Sequence, residues 1–576
     1  MNVVRKITGF LLIIFVISLP IWFSSGITET LSSQNGRSVA GDNIQSDTTA
    51  QVGVTVSDPV IPSLSTAVRD LPPYEQEFAL DREVNPRMNS ADSVTAYSEY
   101  EGGLDPLLAV QANAPDRAID AFDTPIVNIA GQGFTGANPP DTVGDVGLNH
   151  YIQAVNGSGS DIQIYDKTGT PIGSVFSLDS LGSGNCASGL GDPIILYDRL
   201  ADRWMLTEFS DNGNQLCVYI SQTPDPTGSY YNYAFTASHD FPDYPKYGIW
   251  PDAYYVGTNE HPAQFYALDR NSMLAGAAAT MQNFAGTNLS GFSFQMITPS
   301  DLDGATPPPV GSPNYFMRHR DTENHGQGTC PIHTGGDCLE IFEFTVDWAT
   351  PSNSNINGPI SIPVAEFDSD LCGLSSFYCF PQPGSSTTLD PLREVVMNRL
   401  QYRNFGTHEA LVGNLVTDVD GNDHGGIRWF ELRKSGADPW SLYQEGTYSP
   451  DASHRWMGSI AMDGSGNIAV AYNVSDATAV YPSLRYTGRL NSDPAGTMPQ
   501  GEYNIAAGSS PNGSNRYGDY SAMGVDPADD CTFWFTGMYN TSTNWSTRIA
   551  SFKFDSCSGG SATTPDHYIY LPVILK

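Results

Sequence analysis

One phrase recurs along this chain and limits what it can fold into. Tyr244-Pro-Lys-Tyr-Gly-Ile-Trp-Pro-Asp252, Arg455-Trp-Met-Gly-Ser-Ile-Ala-Met-Asp463 and Arg516-Tyr-Gly-Asp-Tyr-Ser-Ala-Met-Gly-Val-Asp526 share a grammar. Each runs through a basic residue, an aromatic, a nearby glycine, a short apolar strand and an aspartate at a turn. A second strand follows each, at 253–256, 467–472 and 531–535. Looser copies stand at 191–198 before 204–207, and at 141–145 before 150–154. Self-similarity at long intervals is the mark of an array of like sheets.

Further strand phrases with alternating apolar and polar residues recur at 162–166, 216–220, 264–269, 339–344, 427–432, 484–486 and 549–554. That alternation suits half-buried antiparallel strands. Counted by their inner-strand phrases, seven units begin near Asp141, Asp192, Tyr247, Tyr315, Tyr402, Trp456 and Tyr517. The expected fold is all-β: a β-propeller over residues 125–557 with seven four-stranded blades, six being the alternative count.

Composition narrows the function. The formal net charge of −36 repels phosphate backbones and anionic membranes, so nucleic acid is excluded as a partner. Residues 1–26 read as a signal peptide: Arg5 and Lys6, an apolar run over 11–17, then small residues at 24–26. Residues 27–124 are polar and acidic and read as a disordered linker or propeptide. Residues 558–576 read as a flexible linker and a short apolar tail. The expected product is a secreted or cell-surface bacterial monomer with no membrane span after signal cleavage. Eight cysteines in an exported chain predict disulfides. Position suggests Cys186 with Cys217, Cys330 with Cys338, Cys372 with Cys379, and Cys531 with Cys557.

Several motifs resemble chemistry they cannot perform. Gly131-Gln-Gly-Phe-Thr-Gly136 matches a dinucleotide fingerprint in letters, but Pro139 and Pro140 forbid the helix it needs. Asp418-Val-Asp-Gly-Asn-Asp-His424 lacks the glycine and glutamate of an EF-hand loop and reads as a hairpin turn. Asp418, Asp420 and Asn422 remain the candidate ligands of a different calcium site. Calcium is the one cofactor the sequence leaves open. No serine elbow, P-loop or paired-histidine zinc motif occurs.

Innermost strands of a propeller line its channel, and loops at one mouth usually form the site. The residues near the starts of those strands are therefore the candidates. For ligand binding they are Lys246, Tyr247, Arg403, His408, His454, Arg455, Trp456, Arg516 and Tyr517. For catalysis they are Asp141, Asp192, Tyr402, Glu409 and Asp519. Arginine forks carboxylates and sulfates, and aromatic faces hold sugar rings. The plainer alternative is that each arginine ties to a nearby aspartate, as Arg516 could to Asp519.

The runs at 138–147, 191–198, 454–463 and 516–521 resemble a group of secreted bacterial propeller proteins, over nearly all of residues 131–557. The resemblance implies a propeller of the general kind seen in sialidases, and it assigns no activity. The sialidase Asp-boxes and Arg-Ile-Pro motif are missing. Arg403, Arg455 and Arg516 could imitate an arginine triad, and Tyr402 with Glu409 a nucleophile pair. Three functions remain: a module binding an extracellular carbohydrate or other acidic ligand at one mouth, a glycoside-processing enzyme, and a scaffold for protein contacts.

Overall fold

The computed structural model describes residues 53–74, 82–83, 103–114, 122 and 125–558, apart from 211, 293, 332–335 and 374–375. The signal-peptide reading and the tail beyond 558 lie outside the described residues. The fold is all-β. Among the described residues no helix is long and apolar enough to cross a membrane.

Among the described residues, seven antiparallel meanders follow one another. Sheet I comprises Val143–Val146, His150–Asn156, Ser160–Asp166 and Pro171–Ser177. Sheet II comprises Gly191–Asp198, Arg203–Ser210, Gln215–Ser221 and Tyr230–Thr236. Sheet III comprises Asp243–Ile249, Tyr254–Asn259, Gln264–Leu268 and Met281–Ala285. Sheet IV comprises Thr298–Asp303, Asn314–Arg320, Gly336–Thr345 and Asn355–Ala365. Sheet V comprises Leu400–Asn404, Glu409–Asp418, Gly425–Lys434 and Ser441–Tyr448. Sheet VI comprises His454–Met462, Ile468–Ser475, Ser483–Arg489 and Glu502–Ala506. Sheet VII comprises Ala522–Val525, Phe533–Asn540 and Trp545–Phe552, and takes its fourth strand, Val127–Gly133, from the other end of the chain. Sheets IV and V are joined by a parallel pairing of their first strands, Ser300 opposite Leu400 through Asp303 opposite Arg403.

The first strands of successive sheets lie side by side, from I beside II through VI beside VII, and VII lies beside I. Apolar faces are shared between neighbours. Trp534 of sheet VII stacks on Tyr151 of sheet I at 5.1 Å. Trp429, Val412 and Ile427 of sheet V meet Ile460, Val470 and Tyr472 of sheet VI. A buried aromatic ring removes roughly 150–250 Å² from water, which at about 25 cal/mol per Å² stabilises by several kcal/mol.

The fourth unit differs from its sequence reading. Tyr315 lies in the second strand of sheet IV, and the first strand is Thr298–Asp303. Thr298-Pro-Ser-Asp-Leu-Asp303 is polar and carries a proline, so it lacks the apolar pattern of its counterparts. The polar stretch 27–124 also holds docked pieces. Thr55–Val56 pairs with the outer edge of sheet III, and Ser63–Leu64 with that of sheet II. The short helix Leu108–Ala112 packs on sheet V beside Asp105, which pairs with Arg428, and Phe122 joins the core between sheets VI and VII. Isolated apolar residues make these contacts, too sparse to show a period.

All four expected disulfides form. Cys186 bonds to Cys217, which ties the loop before sheet II to the third strand of that sheet. Cys330 bonds to Cys338, and Cys372 to Cys379, each closing a short loop. Cys531 bonds to Cys557, which pins the end of the described chain to the turn before the second strand of sheet VII.

Candidate functional site

The first strands of several sheets are preceded or opened by a residue in the left-handed region: Asp141 (φ 46°), Asp192 (50°), Tyr244 (50°), Met457 (49°) and Asp519 (57°). At 192, 244 and 457 this residue sits in an irregularity of the ladder, between 191 and 194, 243 and 246, and 456 and 459. Such a bulge re-aims side chains, and aspartate tolerates the conformation better than most residues. At the ends of sheets I, II, III and VII the device gathers polar groups at one mouth.

There Asn156 Nδ2 donates to Asp141 Oδ2 at 2.7 Å, while its Oδ1 accepts from the Asp192 amide at 2.9 Å. Tyr520 Oη donates to Asp192 Oδ2 at 2.7 Å, and Tyr244 Oη to the Asp519 carbonyl at 2.9 Å. Asn156 thus ties the Asp141 carboxyl to the Asp192 backbone, and each acid is raised by neighbours of like charge. Lys246 Nζ lies 3.1 Å from the centroid of the Tyr244 ring and 3.3 Å from that of Tyr520. Arg516 pairs with Asp519, and with Asp390 at 3.5 Å.

Burial dominates the electrostatics. It pushes the Asp141 carboxyl well up, with Asp192 and Asp519 adding to the shift. Asp192 is raised to about 7, by burial first and by Asp243 second. Burial drives the Lys246 ammonium well below its ordinary value, against the pull of Asp192, Asp141 and Asp519. Lys246 and Asp141 are each only 1% exposed. The segment joining sheets IV and V roofs the mouth. Its Leu371, Phe380, Leu389, Leu392 and Met397 share an apolar cluster with Tyr244, Trp456 and Tyr520. Gln382 is bonded to the Asn512 backbone in both directions, and Cys372–Cys379 staples the segment.

The other candidates are distributed elsewhere. Tyr402 and Arg403 stand at the far end of a first strand. Tyr402 Oη donates to Glu409 Oε2 at 2.8 Å, so that pair is in contact, packed among Trp250, Tyr315 and Trp440. Arg403 binds Asp530 at 2.8 Å. Arg455 is held by Asp451 and Glu502, both at 2.9 Å. The three arginines therefore occupy three separate ion pairs. Tyr247, Trp456 and Tyr517 are core residues, and the Tyr517 hydroxyl accepts from Asn473 Nδ2 at 3.1 Å. His454 packs on Phe380, and burial lowers it to about 4. His408 stacks on Phe405 at 5.0 Å, partly open to solvent. Asp418 accepts the backbone N–H groups of Asp420, Gly421, Asp423 and His424, as a hairpin turn does.

Sequence reasoning missed Tyr244 and Tyr520, although both lie inside the quoted phrases. It also missed a second polar group at the far end of the first strands. Arg399 there bridges Asp145 at 2.5 Å and Asp301 at 3.3 Å. Asp301 is raised to about 7, by burial opposed by Arg399. The cavity among these residues measures about 10 Å³, room for roughly one water. A third cluster, on the edge of sheet IV, could hold a metal: carboxylate oxygens of Asp321, Glu323 and Asp337 lie within 4.8 Å of one another. Burial and mutual repulsion raise Asp337 to about 8 and the neighbouring Glu366 to about 9.

No protein-family model matches the chain, and no curated protein does. Solved structures that the chain matches include an ulvan lyase of a polysaccharide lyase family, at 10% identity over 74% of this chain and 95% of that one, TM-score 0.33. An α-L-arabinofuranosidase from Podospora anserina in complex with cellotriose is 11% identical over 75% of this chain and 95% of its own, TM-score 0.27. The WD40 domain of SCAP from fission yeast is 9% identical over 75% and 98%, TM-score 0.30. What those proteins act on is theirs alone.

Proposed function

We propose that the chain is an exported β-propeller of seven four-stranded blades that binds a carbohydrate at one end of its ring without cleaving it. The side-by-side first strands, with sheet VII beside sheet I, support the ring. Four disulfides support an oxidising, extracellular setting. The observation that carries the binding reading is the state of the candidate catalytic groups. Asp141 and Asp192 are only 1% and 5% exposed and are tied together through Asn156, whereas the two carboxyls of a glycosidase face a sugar held between them. Each candidate arginine already holds a carboxylate of its own.

Ligand contact then falls to the open aromatic edge of sheet V. Tyr443 is 51% exposed, with Arg433 stacked 3.4 Å from its ring centroid, and the Phe405–His408 pair lies in the turn that joins the first two strands of that sheet. Flat rings beside a cation and a hydroxyl suit a pyranose. The test is a glycan array with the full chain, beside a glycosidase and lyase screen. The expected outcome is retention of a glycan without turnover, weakened at least tenfold by Tyr443→Ala. Retention of no glycan overturns this reading in favour of a protein scaffold.

One observation favours a second reading, a glycoside-processing enzyme. Asp192 at about 7 is poised where a general acid–base works. Turnover abolished by Asp192→Asn in a folded protein would establish it.

A further inference from the structure

The edge of sheet IV collects carboxylates from three strand ends. Asp321 follows the second strand, Asp337 opens the third, and Glu366 follows the fourth. The register brings those ends together: Arg320 faces Cys338, Asp337 faces Val364, and Gly336 faces Ala365. Glu323 comes from the short helix Thr322–His325, and the Cys330–Cys338 disulfide ties the loop that carries it to the third strand.

The four groups are not equivalent. Asp321 is filled: it accepts from the amides of Glu323, Asn324 and Ser369, from Asn324 Nδ2 and from Ser369 Oγ, at 2.8–3.1 Å. Asp337 accepts one amide on each oxygen, from Thr322 at 2.8 Å and Phe367 at 2.9 Å, which leaves a lone pair on each. Glu323 accepts from the Thr322 hydroxyl at 3.2 Å. Glu366 follows Ala365, which faces Gly336 beside Asp337; it is 8% exposed, its Oε2 is buried with no hydrogen-bond partner, and burial with the charges of Asp337 and Glu323 raises its carboxyl. Among the described residues no lysine or arginine pairs with any of the four. Arg428, near Glu366, donates to the backbone carbonyls of Ala365 and Glu366 and spends its charge on Asp105 and Glu445.

A buried carboxylate oxygen without a donor is expensive, and several facing each other are more so. We propose that Glu323, Asp337 and Glu366 ligate a divalent cation of the calcium type, with Asp321 positioning the loop. Carboxylate oxygens on strand ends and a surface helix suit the irregular all-oxygen shell of calcium better than the strict octahedron of magnesium. The neighbouring Asp418 turn, which bridges to Asp368, has its carboxylate engaged by its own backbone.

The full chain, freed of metal with EDTA and dialysed, is titrated with CaCl₂ in a calorimeter and melted with and without CaCl₂. The expected result is one calcium site, a melting temperature raised by several degrees, and a weaker response to MgCl₂. Glu366→Gln removes one charge at constant shape and should weaken calcium binding at least tenfold. Glu323→Gln, on the partly exposed helix, should do the same and serves if the first variant does not fold. Asp420→Asn should leave binding unchanged. The proposal is overturned if the wild type shows no calcium heat and no shift in melting. It is equally overturned if Glu366→Gln or Glu323→Gln binds as the wild type does, or if Asp420→Asn is the variant that loses binding.

Discussion

Two clusters of buried acids in this molecule are neutralised in opposite ways. At the mouth, Arg516 pairs with Asp519, Asn156 and Tyr520 donate to Asp141 and Asp192, and Lys246 lies over the Tyr244 and Tyr520 rings. On the edge of sheet IV, Asp321, Glu323, Asp337 and Glu366 have backbone amides, hydroxyls and each other. The difference follows from where the residues come from. The mouth is assembled from the recurring phrase, which carries a basic residue in its third, sixth and seventh copies. The edge is assembled from turns peculiar to one sheet, and among the described residues no lysine or arginine pairs with its acids. A protein can complete an acidic cluster from its own sequence or leave that to its surroundings, and this one does both.

Removing a built-in cation should have the largest effect. Arg516→Met leaves Asp519 and Asp390 buried without their partner, so stability should fall by about 3–5 kcal/mol in urea unfolding. A loss under about 1 kcal/mol would mean that the mouth does not depend on its cations. Next is pH. Asp192 is raised from 3.8 to about 7, so the folded state holds its proton more tightly than the unfolded state. Its stabilisation is therefore complete below pH 3.8 and is lost as pH rises through about 7. The slope in that window is at most about 1.4 kcal/mol per pH unit. Asp192→Asn should flatten it, and an unchanged stability–pH profile in that variant would count against a raised Asp192 carboxyl.

At the edge the effects are smaller. Opening the Cys330–Cys338 staple by a double alanine substitution releases a short loop, worth about 2.5 kcal/mol in chain entropy. It should also weaken calcium binding while leaving the mouth intact. The smallest effect has the opposite sign. In EDTA, Glu366→Gln should stabilise the protein by about 1 kcal/mol, because it removes an uncompensated acid. Destabilisation instead would mean that Glu366 has a partner after all and that the contrast between the clusters fails.

The parts legible in the sequence were those that repeat. Lys246, Arg516, Asp141, Asp192 and Asp519 were found because their positions in the phrase are shared, and they converge. Arg403 and Arg455 carry the same letters but face other carboxylates, since a one-dimensional pattern does not say which end of a strand, or which face, a side chain takes. The cysteines were legible through spacing: Cys186 and Cys217 flank one hairpin, and Cys531 and Cys557 bracket the last one. Thr298–Asp303 escaped notice because its polar sequence is tolerated in a parallel pairing with sheet V. The Glu366 cluster was illegible: its members lie 45 residues apart, from Asp321 to Glu366, and only the register of three strands joins them. The helix Leu108–Ala112 hid for a different reason, being a single turn in an otherwise polar stretch.

The fourth strand of sheet VII has a consequence for how the chain comes into being. Val127 meets Ser551 across a sequence separation of 424. At translation rates of about 5–20 residues per second, Val127–Gly133 waits roughly 20–85 s before its partner exists. During that time it is an unpaired edge on an unfinished molecule, open to any other nascent strand. Six sheets can form in order as they emerge, but the last step joins the oldest part of the chain to the newest. Yield should therefore depend on whatever shields that early segment while the rest is being made.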